Sequence, residues 1–258
     1  MISTTSRNSA TMDAEKALHQ QLQYLKLTSF LDHYDAAAKQ AVQHQWSHVH
    51  YLGQLCEGEV NLRRDRGIQR CIKQARFPVL RTIDDFDWNW PKKINRLQVQ
   101  DLFRLTFTQQ NGNVIFLGGV GLGKTHLSIA LAYQACLKGH SVLFASAIDI
   151  INTLAAAQSA GRLKTELKKY LKPSILLIDE LGYLPVDKTG ADLLFQVISQ
   201  RYEKGSIILT TNKQFKKWPE IFGNDSTLTS AVLDRLLHHA ETVVIEGPSH
   251  RMRGKVDE

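Results

Sequence analysis

The residues with the clearest chemical meaning lie in a glycine-rich segment near the middle of the chain. Gly118 to Thr125 read G-G-V-G-L-G-K-T and directly follow an apolar run, Asn113 to Leu117. The G-x4-G-K-[ST] spacing is typical of a phosphate-binding loop, in which glycines let successive backbone N–H groups point at an anion. The helix that should open at Lys124 adds the positive end of its dipole. The pattern therefore predicts a site for a nucleotide triphosphate.

The side chains of this loop have separate predicted roles. Lys124 is expected to neutralise charge on the β- and γ-phosphates, and the hydroxyl of Thr125 is expected to ligate Mg²⁺. A chance match is the alternative, but the strand before the loop and the helix after it argue against one. We expect ATP and Mg²⁺ as ligands. The predicted nucleotide-binding residues are Gly118, Gly119, Val120, Gly121, Leu122, Gly123, Lys124, Thr125 and His126.

Two adjacent carboxylates end a second apolar run. Ile175 to Ile178 are followed by Asp179 and Glu180, at the distance after the loop where an ATPase needs them. Asp179 is expected to hold Mg²⁺ through water, and Glu180 to orient and deprotonate the attacking water. Taken alone, the pair could equally be a solvated acidic turn. Its combination with the phosphate loop favours hydrolysis.

Two further polar residues are candidates for contact with the γ-phosphate. Asn212 ends the apolar run that starts at Ser206, where an amide could touch the γ-phosphate or the attacking water. Arg235 follows in a predicted helix and could enter the site of a neighbouring subunit, where it would stabilise charge in the transition state. Arg201 is the second candidate for such a contact in trans.

Short β-branched runs alternate with helical stretches after residue 111, which is the pattern of a parallel sheet with crossover helices. The predicted fold class is α/β, a parallel-sheet P-loop NTPase core preceded by a small all-helical N-terminal domain. The predicted strands are 113–117, 141–145, 174–179, 206–211 and 242–246, and the predicted helices are 124–138, 147–171 with a break near Gly161, 190–204 and 228–239.

Apolar residues recur at helical intervals before this core, from Asp13 to Arg76, and Phe77-Pro78 should end the last helix. We therefore divide the chain into a helical domain at 1–80, for binding DNA, a partner or a second copy, a connector at 81–110 and the nucleotide-binding domain at 111–258. The connector carries three aromatic residues that could pack on the core or border an adenine pocket: Phe86, Trp88 and Trp90.

The charge of the chain favours a polyanionic partner. The formal net charge is +7 over 258 residues, and basic residues cluster at 63–81, 162–172 and 213–217. The three cysteines are widely spaced, which indicates neither a disulfide framework nor a zinc site. A metal cluster of His44, His48 and His50 with Cys56 lacks a completing ligand pair. The chain has no run of eighteen apolar residues and no secretion signal at its start, so we expect a cytoplasmic protein that does not contact membranes.

With these motifs identified, the chain resembles the AAA+ ATPases, and among them the IstB transposition helpers and the related DnaC helicase loaders. The residues that carry the resemblance are G-x-x-G-x-G-K-T-H-L at 118–127, L-I-D-E-L-G-Y-L-P at 177–185, the strand ending T-T-N at 210–212, and V-L-D-R-L at 232–236, with A-R-F-P at 75–78 and D-D-F-D-W at 84–88. His126, directly after the loop threonine, also fits this subgroup.

The resemblance implies an ATP-dependent, DNA-binding homo-oligomer, a ring or spiral, that assists a transposase with double-stranded target DNA. It also implies that Arg235 is the arginine acting in trans. The helical lid of many AAA+ proteins should be missing, with Arg251 or Arg253 as a substitute for its arginine. The lysines implied to face DNA in a central channel are Lys164, Lys168, Lys169, Lys213, Lys216 and Lys217.

Three other functions remain open from the residues alone. A DnaC-like helicase loader shares the nucleotide-binding core and should prefer single-stranded DNA. A P-loop kinase acting on a small metabolite is disfavoured, because the Asp-Glu pair and Asn212 suit attack by water. A DNA-binding protein that does not hydrolyse ATP would leave Glu180 without a role.

Overall fold

A computed structural model describes the backbone of residues 4–252 and the side chains of residues 13–251. The chain forms two compact units, Met1–Gln69 and Arg70–Glu258. The division between them falls inside the third helix.

This division lies earlier than the sequence analysis placed it. The helical domain was expected to end at residue 80, with residues 81–110 as a separate connector. The structure instead groups residues 70–110 with the second unit, because side chains such as Ala75 and Val99 are fully buried in that unit's hydrophobic core.

The first unit consists of helices joined by short turns. Leu22 and Leu55 are buried there, and the amide of Ser29 donates to the Glu59 carboxylate at 2.9 Å. The third helix continues into the second unit and ends where Arg76 adopts a left-handed φ of 57° ahead of Pro78. No helix in the described part of the chain is long and apolar enough to cross a membrane. The helices are α1 (Thr4–Tyr24), α2 (Thr28–Gln43) and α3 (His48–Ala75).

The second unit alternates strands and helices, as the sequence predicts. Short 3₁₀ helices cover Thr106–Gln110, Phe215–Glu220 and His250–Met252. The strands are β1 (Asn113–Gly118), β2 (Val142–Ser146), β3 (Ile175–Leu181), β4 (Ser206–Thr211) and β5 (Ala240–Ile245), and the helices are α4 (Arg96–Leu102), α5 (Lys124–Leu137), α6 (Ala147–Ser159), α7 (Leu163–Leu171), α8 (Lys188–Arg201) and α9 (Ser226–Leu237).

The five strands form one sheet, in which the order β2-β3-β4-β1-β5 differs from the order along the chain. All pairings are parallel, which confirms the predicted fold class. Because β1 lies between β4 and β5, and β4 borders β3, the carboxyl ends of β1, β3 and β4 lie side by side. This arrangement brings together the phosphate loop, the two carboxylates and Asn212.

Each face of the sheet is covered by its own hydrophobic cluster. Leu176 and Ile178 of β3 pack with residues of α6, α8 and α9 on one face. Ile175 and Leu177 face the other side, with α5 and residues of the 70–107 segment. Since nearly every residue of β3 and β4 is buried, the sheet is a rigid base for the groups at its carboxyl edge.

Candidate active site

The phosphate loop connects β1 to α5, and two of its glycines adopt backbone conformations that side chains disfavour. Gly121 has φ 73° and Gly123 has φ 83°. A Cβ added to Gly123 would lie 2.5 Å from Cε2 of Phe86, so a larger residue there would be strained and would clash with the ring. Helix α5 begins at the next residue, Lys124, with its amino end at the loop.

Lys124 is held inside this loop. Its Nζ donates to the carbonyl of Gly119 at 2.7 Å and lies 3.4 Å from the hydroxyl of Tyr183. The side chain is 4% exposed, and burial lowers its pKa, whereas Asp179 and Glu180 act to raise it. An ammonium group with only neutral hydrogen-bond partners at short range can bind an anion without first breaking an ion pair.

Thr125 and Asp179 meet at the edge between α5 and β3. The threonine hydroxyl lies 3.0 and 3.2 Å from the two carboxylate oxygens. The hydroxyl of Thr210, in β4, donates to Oδ1 of Asp179 at 2.5 Å and so helps to hold the carboxylate in place. Oxygen ligands from one hydroxyl and one carboxylate, directly or through water, are the set that Mg²⁺ prefers beside phosphates. The residues therefore fit the predicted metal.

Glu180 follows Asp179 at an irregularity in the strand. The pairing of β3 with β4 shifts register between Ile178 and Leu181, and Glu180 has a φ of 61°. Its amide donates to the hydroxyl of Thr210 at 2.9 Å. In a regular strand two successive side chains point to opposite faces of the sheet. The bulge allows the side chains of Asp179 and Glu180 to lie at the same edge. Glu180 is exposed and lines the cavity beside Lys124.

Asn212 follows the end of β4, as predicted. Its side-chain Oδ1 is buried, and among the described residues it has no hydrogen-bond partner. A buried, unpaired acceptor is uncommon in a folded protein and calls for an explanation such as an absent ligand or water. A water that attacks the γ-phosphate could donate to this oxygen.

A cavity of about 380 Å³ opens beside the loop. Its lining includes the aromatic residues Phe86 and Trp90 together with His250. Phe86 and Trp88 also pack in the core below, with ring centroids 4.9 Å apart. The residues that line the cavity are Val79, Arg81, Asp85, Phe86, Asp87, Trp90, Pro91, Gly121, Leu122, Gly123, Lys124, Thr125, His126, Ile129, Glu180, Tyr183, His250 and Arg251.

His126 connects the loop to the segment before β1. Its Nε2 donates to the carbonyl of Thr82 at 2.9 Å, and its ring lies edge-on to Phe86 at 5.5 Å. Burial lowers the pKa of His126, which favours the neutral ring. Through its contact with the backbone of Thr82, His126 therefore holds one wall of the cavity in position.

The segment after β5 closes one side of the cavity. The amide of His250 donates to the carbonyl of Gly121 at 3.0 Å, and the indole of Trp90 donates to the carbonyl of Pro248 at 2.9 Å. Arg251 lines the cavity, and its charge acts to lower the pKa of Lys124. Of the two arginines suggested as substitutes for a lid arginine, Arg251 is therefore at the site, and Arg253 lies outside the described residues.

Arg235 lies away from this cavity. It lines a second, smaller cavity with Asn113 and His239, and Asn113 is the first residue of β1, whereas the phosphate loop follows its last residue. A strand of this length separates the two places by roughly 17 Å. The guanidinium donates to the carbonyl of Ala231 at 2.9 Å and lies over the ring of Phe195. Arg235 therefore does not line the cavity beside its own phosphate loop.

Arg201 does not suit a contact in trans. It is 2% exposed, and its guanidinium donates to backbone carbonyls, among them those of Tyr170 at 2.8 Å and Ser206 at 2.8 Å. Burial lowers its pKa to about 10. Arg201 therefore ties the segment before β3 to the start of β4, and the expectation that it could reach a neighbouring subunit is wrong.

The six lysines expected to contact DNA fall into two groups. Lys164, Lys168 and Lys169 are exposed on α7, whose last turn lies at the amino edge of the sheet, just before β3. The group of Lys213, Lys216 and Lys217 follows β4 at the carboxyl edge. Lys169 pairs with Glu166 at 2.6 Å and Lys213 with Glu220 at 2.8 Å, and exposed pairs of this kind are weak.

The sequence analysis missed several residues of the site. Thr210 entered the sequence pattern only as the first residue of the T-T-N motif, but in the structure it is fully buried and donates to Asp179. Arg81 was expected only as the last member of the basic cluster at 63–81, and it lines the cavity. Tyr183 belongs to the L-I-D-E-L-G-Y-L-P motif at 177–185, but the motif alone did not indicate its contact with Lys124.

Comparisons with known proteins agree with the motifs. The structure of the DnaC helicase loader superposes with a TM-score of 0.53 at 24% identity, over 64% of this chain and 96% of that one. AMPPCP-bound DnaA from Aquifex aeolicus gives 0.53 at 23% identity, over 64% of this chain and 50% of that one. At these identities the likeness establishes that the fold is shared, and no more.

Relatives in sequence match over almost the whole chain. The ATP-binding protein of insertion sequence IS5376 from Geobacillus stearothermophilus is 39% identical over 93% of this chain and 96% of its own length. That of IS21 from Pseudomonas aeruginosa is 41% identical over 91% and 88%. The model of the IstB-like ATP binding protein family matches residues 20–258. The resemblance inferred from the motifs is thus confirmed: the chain belongs to the IstB-like ATP-binding protein family.

Proposed function

We propose that this protein is an ATPase that assembles as an oligomer on duplex DNA and assists a transposase in selecting target DNA. The observation that carries the proposal is the arrangement at one edge of the sheet. A buried lysine, Lys124, lies beside the Thr125–Asp179 pair, and the exposed carboxylate of Glu180 shares their cavity.

Within one copy of the chain, separate residues bind the phosphates and activate the attacking water. Lys124 and the loop amides bind the phosphates, and Arg251 adds a second positive charge beside them. Glu180 accepts the proton of the attacking water, while the unpaired Oδ1 of Asn212 orients that water. Mg²⁺, held by Thr125 and Asp179, would neutralise charge that develops on the phosphates.

The position of Arg235 supports oligomerisation. Its side chain lies near the start of β1, at the opposite edge of the sheet from its own phosphate loop, which favours a role at a triphosphate bound by another copy of the chain. The guanidinium carbon of Arg235 lies 5.1 Å from the centroid of the Phe195 ring. This contact helps to hold the arginine side chain in position. An arginine supplied in trans stabilises the transition state by about 10³- to 10⁵-fold in rate.

Contact with DNA is supported by the net charge of +7 and by the exposed lysines of the two groups described above. Phosphate contacts give affinity that does not depend on sequence. This mode of binding suits a protein that marks target DNA broadly. The relatives named above come from insertion sequences, which makes the transposase of the same element the expected protein partner. Residues 1–80 are the proposed docking domain for that partner, for DNA or for a second copy.

Assembly on DNA is tested by sedimentation with a 60-base-pair duplex, with and without a non-hydrolysable ATP analogue. We expect ATP-dependent complexes and release of free phosphate from ATP. A protein that stays monomeric with and without nucleotide and duplex would contradict the proposal. A preference for single strands together with capture of a hexameric helicase would favour the DnaC-like loader instead.

The salt dependence of binding identifies which lysines face DNA. Each phosphate contact adds about 0.9 to the slope of log K against log salt. Replacing Lys216 and Lys217 by Ala should lower that slope by about 2 if they contact DNA, and Lys164 and Lys168 are tested in the same way. Lys138→Ala, an exposed lysine at the end of α5, is the matched control.

A further inference from the structure

Three potential metal ligands converge outside the nucleotide site. One ligand atom from each of Glu203, His238 and His239 lies within 4.8 Å of the other two, and the three side chains are exposed. No other group of three or more His, Cys, Asp or Glu side chains meets this condition in the described part of the chain. Glu203 precedes β4, whereas the histidines connect α9 to β5. Two segments far apart in sequence therefore meet here.

Hydrogen bonds from Asn111 and Asn113 fix the backbone of both segments. The side-chain amide of Asn111 donates to the carbonyl of Glu203 at 2.9 Å. The amide of Asn113 donates to the carbonyl of His239 at 2.7 Å, and its side chain donates to that of Leu236 at 3.0 Å. Glu203 also has a left-handed φ of 57°, which persists only where surrounding contacts determine it. The three ligands are thus carried by backbone positions that their neighbours fix.

Tyr202 orients one of the ligands. Its hydroxyl lies 3.0 Å from Nδ1 of His238. Histidines that bind a metal through one ring nitrogen commonly use the other in a hydrogen bond that fixes the tautomer. In the tautomer whose Nδ1–H donates to the tyrosine hydroxyl, Nε2 of His238 keeps the lone pair that binds a cation.

We propose that Glu203, His238 and His239 bind one divalent transition-metal ion, with Zn²⁺ as the best fit. Two imidazoles and one carboxylate form a ligand set that Zn²⁺ accepts with water in the remaining position. Mg²⁺ disfavours such nitrogen ligands, which separates this site from the one at Thr125 and Asp179. A bound ion would join the loop before β4 to the end of α9, the helix that carries Arg235.

The test uses the untagged full-length protein, freed of metal with a chelator and titrated with ZnCl₂ against a chromophoric competitor. We expect one Zn²⁺ per chain, unaffected by excess Mg²⁺ or by Lys124→Ala. The double variant His238→Gln, His239→Gln should lose this binding, and Glu203→Gln should weaken it. Tyr202→Phe should keep the stoichiometry but lower the affinity by about tenfold.

The matched control is the double variant His44→Gln, His48→Gln, which removes two histidines from the first unit and should bind Zn²⁺ like the wild type. The proposal is wrong if the wild type shows no saturable uptake. It is also wrong if the variants at 238 and 239 retain uptake, or if the control loses it equally. Circular dichroism checks folding, and Glu203→Gln, a single exposed substitution, keeps the test decisive should the histidine variant fail to fold.

Discussion

The hydroxyl of Thr125 lies within hydrogen-bonding distance of both carboxylate oxygens of Asp179, at 3.0 and 3.2 Å, across 54 positions of sequence. Thr125 lies in the first turn of α5 and Asp179 lies near the end of β3, so this contact joins the phosphate loop to the strand that carries both acids. Glu180 is positioned by the same strand. The geometry of the whole site therefore depends on how β3 lies relative to α5.

Replacing Glu180 by Gln should stop hydrolysis but not ATP binding. The amide keeps the shape of the side chain but cannot accept the proton of water, and loss of a general base costs about 10²- to 10⁴-fold in rate. Phosphate release and nucleotide affinity should be measured on the same sample. We expect an ATP-bound assembly that stays on duplex DNA. Glu57→Gln, an exposed acid of α3, is the control, and unchanged turnover in Glu180→Gln would remove Glu180 from the mechanism.

Replacing Asn212 by Ala should lower turnover by about 10²-fold and leave the folded protein as stable as before. The amide oxygen has no hydrogen-bond partner within the described residues, so its removal breaks no bond in the protein. Single-turnover hydrolysis and thermal unfolding together check both parts. A large loss of stability with normal turnover would show that Asn212 is structural. Asn61→Ala, at an exposed position of α3, is the matched variant.

Arg235→Ala and Lys124→Ala should each be inactive alone and partly active when mixed. The first variant keeps an intact phosphate loop but lacks the arginine, and the second supplies the arginine but cannot hold ATP. Within a mixed oligomer, some interfaces would combine the intact loop with the intact arginine. Steady-state ATPase activity at several mixing ratios measures this. If no ratio restores activity while both variants still assemble, Arg235 does not act in trans.

Arg201→Lys should destabilise the protein by about 3 kcal/mol. The guanidinium donates to the carbonyls of Tyr170, Pro173, Ser174 and Ser206 at 2.8 to 3.0 Å, and an ammonium group cannot reach all of them at once. Urea unfolding measures the loss. Nucleotide affinity of the folded fraction should not change, because Arg201 does not line the cavity of Lys124. A fully stable Arg201→Lys protein would contradict this structural role.

The first unit should lose stability at acidic pH through Glu59. Burial acts to raise the pKa of this carboxyl, but hydrogen bonds from Arg63 and from the amide of Ser29, with the charges of Arg63 and Arg66, bring it below its usual value of 4.5. A depressed folded-state pKa gives stability that is present above pH 4.5 and lost as pH falls through the folded-state value.

Glu59→Gln should remove this part of the pH dependence. Helical circular dichroism during urea unfolding, compared between pH 3 and 7, measures the difference from the wild type. Since other carboxyls titrate in both proteins, only that difference reports on Glu59. Equal pH profiles would show that Glu59 contributes nothing to the acid sensitivity.

Much of the nucleotide site was predictable because it is local in sequence. The loop from Gly118 to Thr125 is one continuous segment whose glycines allow unusual backbone conformations. The strand that ends in Asp179 and the strand before Asn212 are short apolar runs whose length and composition identify them. Local backbone preferences and burial patterns determine such elements without knowledge of their neighbours.

Contacts between distant segments were decided by the tertiary structure. The order of the strands places Thr210 against Asp179. It also buries Arg201 between the segment before β3 and the start of β4, so Arg201 is a structural residue and not a candidate for a contact in trans. The segment after β5 reaches the phosphate loop, so His250 and Arg251 border the cavity. The contact of Glu203 with His238 and His239 likewise depends on the packing of segments that are distant in sequence. The sequence determined which elements form, and their packing determined which side chains meet, because a side chain's neighbours depend on strand order rather than on position along the chain.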